Sequence, residues 1–433
     1  MRKLLIKGCT IVPVVGPVIA RGAIAVEDDR LAYVGPETDL PPAWEAEETI
    51  KAEDMVALPG LVNCHTHAAM TLFRGYADDL PLRRWLEEKI WPLEGKLDKE
   101  DIYWGTQLAL VEMIRSGTTT FADMYFHMEV VAQAVVEAGL RACLSQGLIG
   151  MQDVLGLRLK AGESLAREWQ GAGEGRITIM LGPHAPYTCA PDYLIKVAER
   201  AARLGVGLHI HLAETKQEVE EIRSRYGLPP VAHVAKLGLF QVPTLAAHCV
   251  HLTEEEIGIL AQNKVGVAHC PESNLKLASG VAPVPALLAA GAVVGLGTDG
   301  PASNNNLDLL EETRTAALLA KGISGDPTAL KAEEALAMAT INGAKALKLE
   351  KDIGSLEVGK KADIILLKTC GAHWQPRNEV VAHLVYSARG SDVDTVIVNG
   401  RVIMAGGQLQ TLDEERIYSE VNRRMHLLRG LSK

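Results

Sequence analysis

The stretch VGLHIHLAE at residues 206–214, followed directly by TKQEVEEIRSRY at 215–226, decides how this chain is read. Leu208, Ile210 and Leu212 alternate with His209 and His211, which is the two-residue period of a β-strand. The next segment opens on Thr215, a residue suited to capping, and reads as a helix. A strand therefore feeds a helix, with His211 and Glu214 at the carboxyl end of the strand.

The same unit recurs in both directions. Short β-branched or apolar runs at 56–67, 118–125, 142–148, 176–184, 244–250, 265–271 and 293–299 alternate with helical stretches at 99–116, 129–138, 192–204, 253–262 and 307–321. Repeated βα units imply a parallel sheet. Eight such strands close most naturally into an α/β fold of the (β/α)8 TIM-type barrel kind. The chain ends differ: 3–34 and 362–404 carry strand-like runs at 4–6, 23–26, 363–367 and 395–398, broken by glycine turns with no long helix between them. We expect residues 1–56 and 355–433 to build a small β-sandwich domain from both ends, with the barrel at 57–354 inserted. The segment 413–428 is expected to be a terminal helix lying on the barrel or on a neighbouring subunit of a homo-oligomer.

Composition narrows the function. Of 433 residues, 44 are Lys or Arg and 54 Asp or Glu, a net charge of −10. A polyanion such as nucleic acid, or an acidic membrane surface, is therefore not the expected partner. No apolar run reaches the roughly 18 residues of a spanning helix, and the start lacks a signal-peptide pattern, so a cytoplasmic location is expected. The seven cysteines form no C-x-x-C pair, which speaks against a disulfide framework and a thiolate zinc site alike.

In such barrels the reactive groups stand at the carboxyl ends of the strands. Those positions here hold His65, His67, His184, His211, Glu214, His248 and Asp299, five of the chain's 13 histidines together with two carboxylates. His65 and His67 share one strand face and can reach a single point. Imidazole with carboxylate is the donor mixture of Zn²⁺ and similar ions. Taken alone, the pair could equally be core histidines, His209 competes with His211 for the fifth strand, and Glu214 could be a helix-start carboxylate meeting the dipole.

The run PGLVNCHTH at 59–67 with MTLFRG at 70–75, and the segments HLAET at 211–215, AHCVH at 247–251, SNLKL at 273–277 and GTDGPASN at 297–304, resemble the amidohydrolase superfamily, in its branch of cytosine- and adenosine-type deaminases. The resemblance covers nearly the whole chain. It implies that His65, His67, His211 and Asp299 hold one divalent metal ion per subunit, Zn²⁺ before Fe²⁺ or Mn²⁺. His211 is selected over His209 because the family ligand directly precedes Leu-Ala-Glu, and His184 stands where two-metal branches carry a modified lysine. It further implies hydrolytic deamination of a 6-aminopurine nucleoside, with Asp299 taking a proton from water, Glu214 protonating the ring and His248 steadying the oxygen. Methylthioadenosine is the expected substrate; S-adenosylhomocysteine, 5′-deoxyadenosine, adenosine, guanine and other amino-substituted rings are the alternatives.

For substrate binding the same resemblance assigns Glu94 to the ribose hydroxyls, Trp85 to the pocket wall, His184 to sugar or purine, and Ser303 to a further contact. Glu214 and Asp299 also face the substrate. Two arginines hold the amino-acid carboxylate of S-adenosylhomocysteine in relatives. Here Gln146 replaces one and Arg158, within an expected loop at 149–163, matches the other, so the apolar tail of methylthioadenosine is favoured.

Two other motifs are set aside. Gly295-x-Gly297-x-x-Gly300 has dinucleotide-fingerprint spacing but lies late and beside Asp299. His127-Met128-Glu129 matches half of the other zinc-deaminase signature, but no Pro-Cys-x-x-Cys follows.

Overall fold

Strands covered on both faces carry apolar side chains on both, which is why most of these runs read as near-continuous. In the computed structural model, which describes residues 2–430, they form β1 (Leu61–Thr66), β2 (Thr118–Tyr125), β3 (Arg141–Leu148), β4 (Ile177–Pro183), β5 (Gly207–Leu212), β6 (Thr244–His248), β7 (Gly266–His269) and β8 (Val293–Leu296). All pair in parallel, each beside its neighbour in sequence. Parallel pairing requires long crossovers, and helices such as Lys99–Arg115, Met128–Ala138, Pro191–Leu204, Lys216–Tyr226 and Glu254–Gln262 supply them.

Between β8 and β1 the barrel is stitched rather than laddered. The Asp299 amide donates to the His65 carbonyl at 2.9 Å. The Asn63 side-chain amide donates to Thr298 Oγ1 at 2.8 Å, and its oxygen accepts from the Thr298 amide at 3.1 Å. The seam thereby brings Asp299 against His65.

Both chain ends contribute to a second sheet of nine strands. Its two halves fold together, so that Ile6 and Ile24 meet Ile364, Leu366 and Ile397 in one core. Buried Arg141, at the start of β3, ties this sheet to the barrel through Asp363, with nitrogen–oxygen distances of 3.0 and 3.2 Å. The terminal helix Glu414–Gly430 lies on Lys99–Arg115 of the same chain, with buried Arg424 reaching Asp101 at 3.3 Å. Among the described residues, no helix is long and apolar enough to cross a membrane.

Four expectations change. The run at 56–67 is two strands: Met55–Pro59 pairs with Ile364–Lys368 in the terminal sheet, and β1 begins at Leu61. The chain changes sheets at Gly60, where a Cβ would lie 2.0 Å from Thr119 Oγ1, so only glycine fits. Hydrophobicity gives no sign of the change, because both strands are buried. The eighth strand ends at Leu296, and Asp299 lies three residues beyond it. The expected loop at 149–163 is a short 3-10 turn and then a helix, Leu157–Trp169, whose mostly polar sequence buries only Leu159, Gly162, Leu165 and Ala166. Strands Arg30–Pro36, Glu48–Lys51 and Arg401–Ala405 were not anticipated.

Candidate active site

Three imidazoles meet at the mouth of the barrel. His67 Nδ1 donates to the Met124 carbonyl at 2.6 Å, and His211 Nδ1 to the His184 carbonyl at 2.8 Å. With those protons on Nδ1, both Nε2 atoms present lone pairs, and they lie 3.4 Å apart. His65 Nδ1 is 2.8 Å from His209 Nε2, and His209 Nδ1 is 3.3 Å from Ser145 Oγ. Assigning the first proton to His65 leaves its Nε2 bare, and that buried atom has no hydrogen-bond partner. Asp299 Oδ1 is 3.4 Å from both His65 Nε2 and His67 Nε2.

Electron-rich atoms facing one another without a shared proton call for a cation. Zinc–nitrogen bonds of about 2.0–2.1 Å in a tetrahedron put neighbouring donors about 3.3–3.4 Å apart. The observed spacing fits that edge, and the donor set suits a divalent ion. Burial holds His65 down to about 4, with Asp299 opposing and His67 and His248 adding to it. Burial, reinforced by the neighbouring imidazoles, also keeps His211 well below its usual range. Neutral imidazole is the ligating form. Burial opposes the charge on Asp299, but His65, His67 and His248 outweigh it and hold the carboxyl well below its ordinary range.

The supporting contacts are specific. Ser273 and Ser303 hydroxyls donate to Asp299 Oδ2 at 2.6 and 2.8 Å, leaving Oδ1 toward the imidazoles. His248 Nδ1 donates to Asn274 Oδ1 at 2.9 Å, which aims Nε2 at Glu214 Oε2, 3.9 Å away. Backbone φ is positive at Ala213 (53°), His248 (72°) and Asp299 (62°). Left-handed geometry at such residues is costly and persists where the surroundings enforce it. Here it turns the strand ends so that their side chains face one centre. Burial raises the Glu214 pKa, opposed by His248. Burial disfavours charge on His248 as well, yet Glu214 and Asp299 raise its pKa on balance.

A recess opens over this cluster, and His67, His184, Glu214, His248 and Asp299 line it along with Trp85, Glu94 and Ser303. Trp85 Nε1 donates to the Ala77 carbonyl at 2.9 Å, fixing the indole as a wall. His184 Nδ1 is 3.0 Å from Thr188 Oγ1. Burial raises Glu94, against the Tyr125 hydroxyl and the charges of His67 and Arg158. Arg158 is outside the lining: its amide donates to Asp153 Oδ1 at 2.8 Å, and its guanidinium sits 4.8 Å over the Phe126 ring.

His209 contacts His65 and lies outside the group His65, His67 and His211 whose donor atoms converge. Groups that orient a ligating histidine typically matter 10- to 100-fold. His209→Ala is expected to weaken metal affinity by roughly that factor, read by competition with a chromophoric chelator. Ser145, Ser273, Asn274 and Ser279 also touch the site without having been singled out. Ser273 and Asn274 open the quoted SNLKL segment, but nothing in sequence tells which strand-end groups they meet.

The chain is similar to known proteins along nearly its whole length. The model of the Amidohydrolase family matches residues 56–403. The chain is 70% identical over 426 residues to the 5-methylthioadenosine/S-adenosylhomocysteine deaminase of Moorella thermoacetica, covering 98% of this chain and 100% of that protein. It is 57% identical over 428 residues to the protein of the same name from Pelotomaculum thermopropionicum, covering 98% of each. Among solved structures it is similar to an adenosine deaminase from Xanthomonas campestris with bound zinc, at a TM-score of 0.95 and 37% identity over 99% of both chains.

Proposed function

The chain belongs to the amidohydrolase family, and from that premise we propose that it is a metal-dependent hydrolase that converts 5-methylthioadenosine to its inosine analogue and ammonia. The observation that carries the reading is the buried Glu214 carboxyl, 3.9 Å from His248, above three imidazoles and a carboxylate with the donor spacing of one divalent ion. Zinc is the assigned ion, since a donor set rich in imidazole nitrogen suits it. Iron(II) and manganese(II) are the competing results of a metal analysis.

His65, His67, His211 and Asp299 would hold a divalent ion, which when bound would supply an acidified water at neutral pH. Asp299, already ionised and braced by Ser273 and Ser303, takes the proton that water gives up. Glu214, whose pKa burial raises, gives its proton to a ring nitrogen and makes the adjacent amine-bearing carbon electrophilic. His248, fixed by Asn274, points Nε2 toward the oxygen that adds to that carbon and stabilises the charge growing on it. The amine leaves as ammonia with the proton that Asp299 took up, while the added oxygen gives its own proton to Glu214 and becomes the carbonyl.

Glu94 and His184 stand across the recess and are assigned to the ribose and purine. The lining includes Met70, Leu82, Leu86, Trp91, Phe126 and Ile149 but no lysine or arginine. An apolar thioether tail suits such walls, whereas an amino-acid carboxylate finds no bidentate cation there. Methylthioadenosine is therefore favoured over S-adenosylhomocysteine, with Arg158 assigned at most a peripheral role.

The test is a spectrophotometric panel following loss of the exocyclic amine, from C6 of methylthioadenosine, S-adenosylhomocysteine, adenosine and 5′-deoxyadenosine and from C2 of guanine. The highest kcat/KM is expected for methylthioadenosine. A clear preference for guanine, which has no sugar, would contradict the assignment of Glu94. Glu94→Gln is expected to cost roughly 10- to 100-fold in kcat/KM for nucleosides, because a charged hydrogen bond to a sugar hydroxyl weakens.

A further inference from the structure

The two carboxyl oxygens of Glu214 have different surroundings. Ser279 Oγ donates to Glu214 Oε1 at 3.1 Å. Ser279 is itself held, since its carbonyl accepts from His251 Nε2 at 2.6 Å. His251 returns to the acid's own segment through its backbone amide, which donates to the Ala213 carbonyl at 2.9 Å. The Glu218 carboxylate takes the Ala213 and Glu214 amides at 2.9 and 2.8 Å, fixing the main chain beneath the acid. The loop passes close enough to do this because residue 280 is glycine. Its φ is +127°, and a Cβ there would stand 3.0 Å from Val250 Cγ1 and 3.2 Å from His251 Cε1.

The geometry points to Ser279, seated by His251, as a positioning residue that decides which oxygen of Glu214 carries the transferable proton. A hydroxyl that donates to Oε1 commits that oxygen as an acceptor, so the carboxylic proton is on Oε2. Oε2 is the oxygen facing His248 Nε2, at 3.9 Å. In the transfer the Oε2–H bond breaks, an N–H bond forms on the ring, and the electron pair stays on Glu214. The resulting carboxylate keeps the Ser279 hydrogen bond, which strengthens as charge appears. Without the hydroxyl the proton divides between two oxygens, and the carboxyl rotates out of alignment. His251 and Ser279 come from the loops after β6 and β7, and no short motif joins them.

This inference rests on the reading of Glu214 as the ring acid, and the experiment separates the two. In the metal-loaded full-length protein with methylthioadenosine, Ser279→Ala is expected to lower kcat roughly 10- to 100-fold, the effect of losing one hydrogen bond to a developing charge. KM is expected to stay within about twofold, and metal content unchanged. Ser279→Thr, which keeps the hydroxyl, is expected to restore most of the rate. His251→Ala is expected to lower kcat by a smaller factor. The double variant should fall no further than Ser279→Ala, because both act through one hydrogen bond.

A kcat within about twofold of wild type in Ser279→Ala, or a Thr variant as slow as the Ala variant, would overturn the inference. So would a raised KM with unchanged kcat. If Ser279→Ala does not fold, His251→Ala carries the same kcat-against-KM comparison. Glu214→Gln is measured in parallel. Activity surviving there removes the acid itself, whereas loss there beside a normal Ser279→Ala removes the positioning role alone.

Discussion

Glu214→Gln is expected to lower kcat for methylthioadenosine on the order of 10²- to 10⁴-fold, with metal content and KM close to wild type. Glutamine keeps the size of the side chain and still accepts from Ser279, whose hydroxyl donates at 3.1 Å in the native site. What it lacks is a proton acidic enough to give to a ring nitrogen. The pH dependence follows from the same group. Burial raises the Glu214 pKa, so the proton is retained at pH values where an exposed glutamate would be ionised. The wild-type rate is expected to fall as pH rises through that raised value, and the glutamine variant to lose this alkaline limb. A variant within about tenfold of wild type, with the limb intact, would remove Glu214 from its role.

The second large effect is at Asp299. Asp299→Ala removes one donor of the proposed metal set, the proton acceptor, and the acceptor of the Ser273 and Ser303 hydrogen bonds. Metal chemistry of this kind contributes several kcal/mol to the barrier, so a loss of at least about 10³-fold in kcat/KM is expected, together with weaker metal retention. Asp299→Asn separates the contributions. It keeps an oxygen for the two serines but carries no charge, and it is expected to retain more metal than the alanine variant while remaining similarly slow. Measuring bound metal alongside rate in both variants makes the comparison.

The barrel could be read from sequence because its strands are buried on both faces and its helices are not, so the alternation survives in hydropathy. The convergent donors could be read because strand ends share one rim, and the resemblance chose His211 over His209. Tertiary contacts were the illegible part. The crossing at Gly60 is hidden since Pro59 and Leu61 are equally buried on either side of it. The helix Leu157–Trp169 is missed because little of it touches the core. Arg158 is not itself in the lining of the recess; its guanidinium sits over Phe126, which is. The partners of Asp299, His248 and Glu214, namely Ser273, Asn274 and Ser279, lie 26, 26 and 65 residues away along the chain. No local pattern encodes such distances.

The account depends above all on one cation shared by His65, His67, His211 and Asp299. Its most direct test is to strip the purified protein of metal with a chelator and return zinc stepwise while following deamination of methylthioadenosine. Activity should vanish on stripping and rise in proportion to added metal, breaking at one equivalent per chain. Undiminished deamination by the metal-free protein would contradict it.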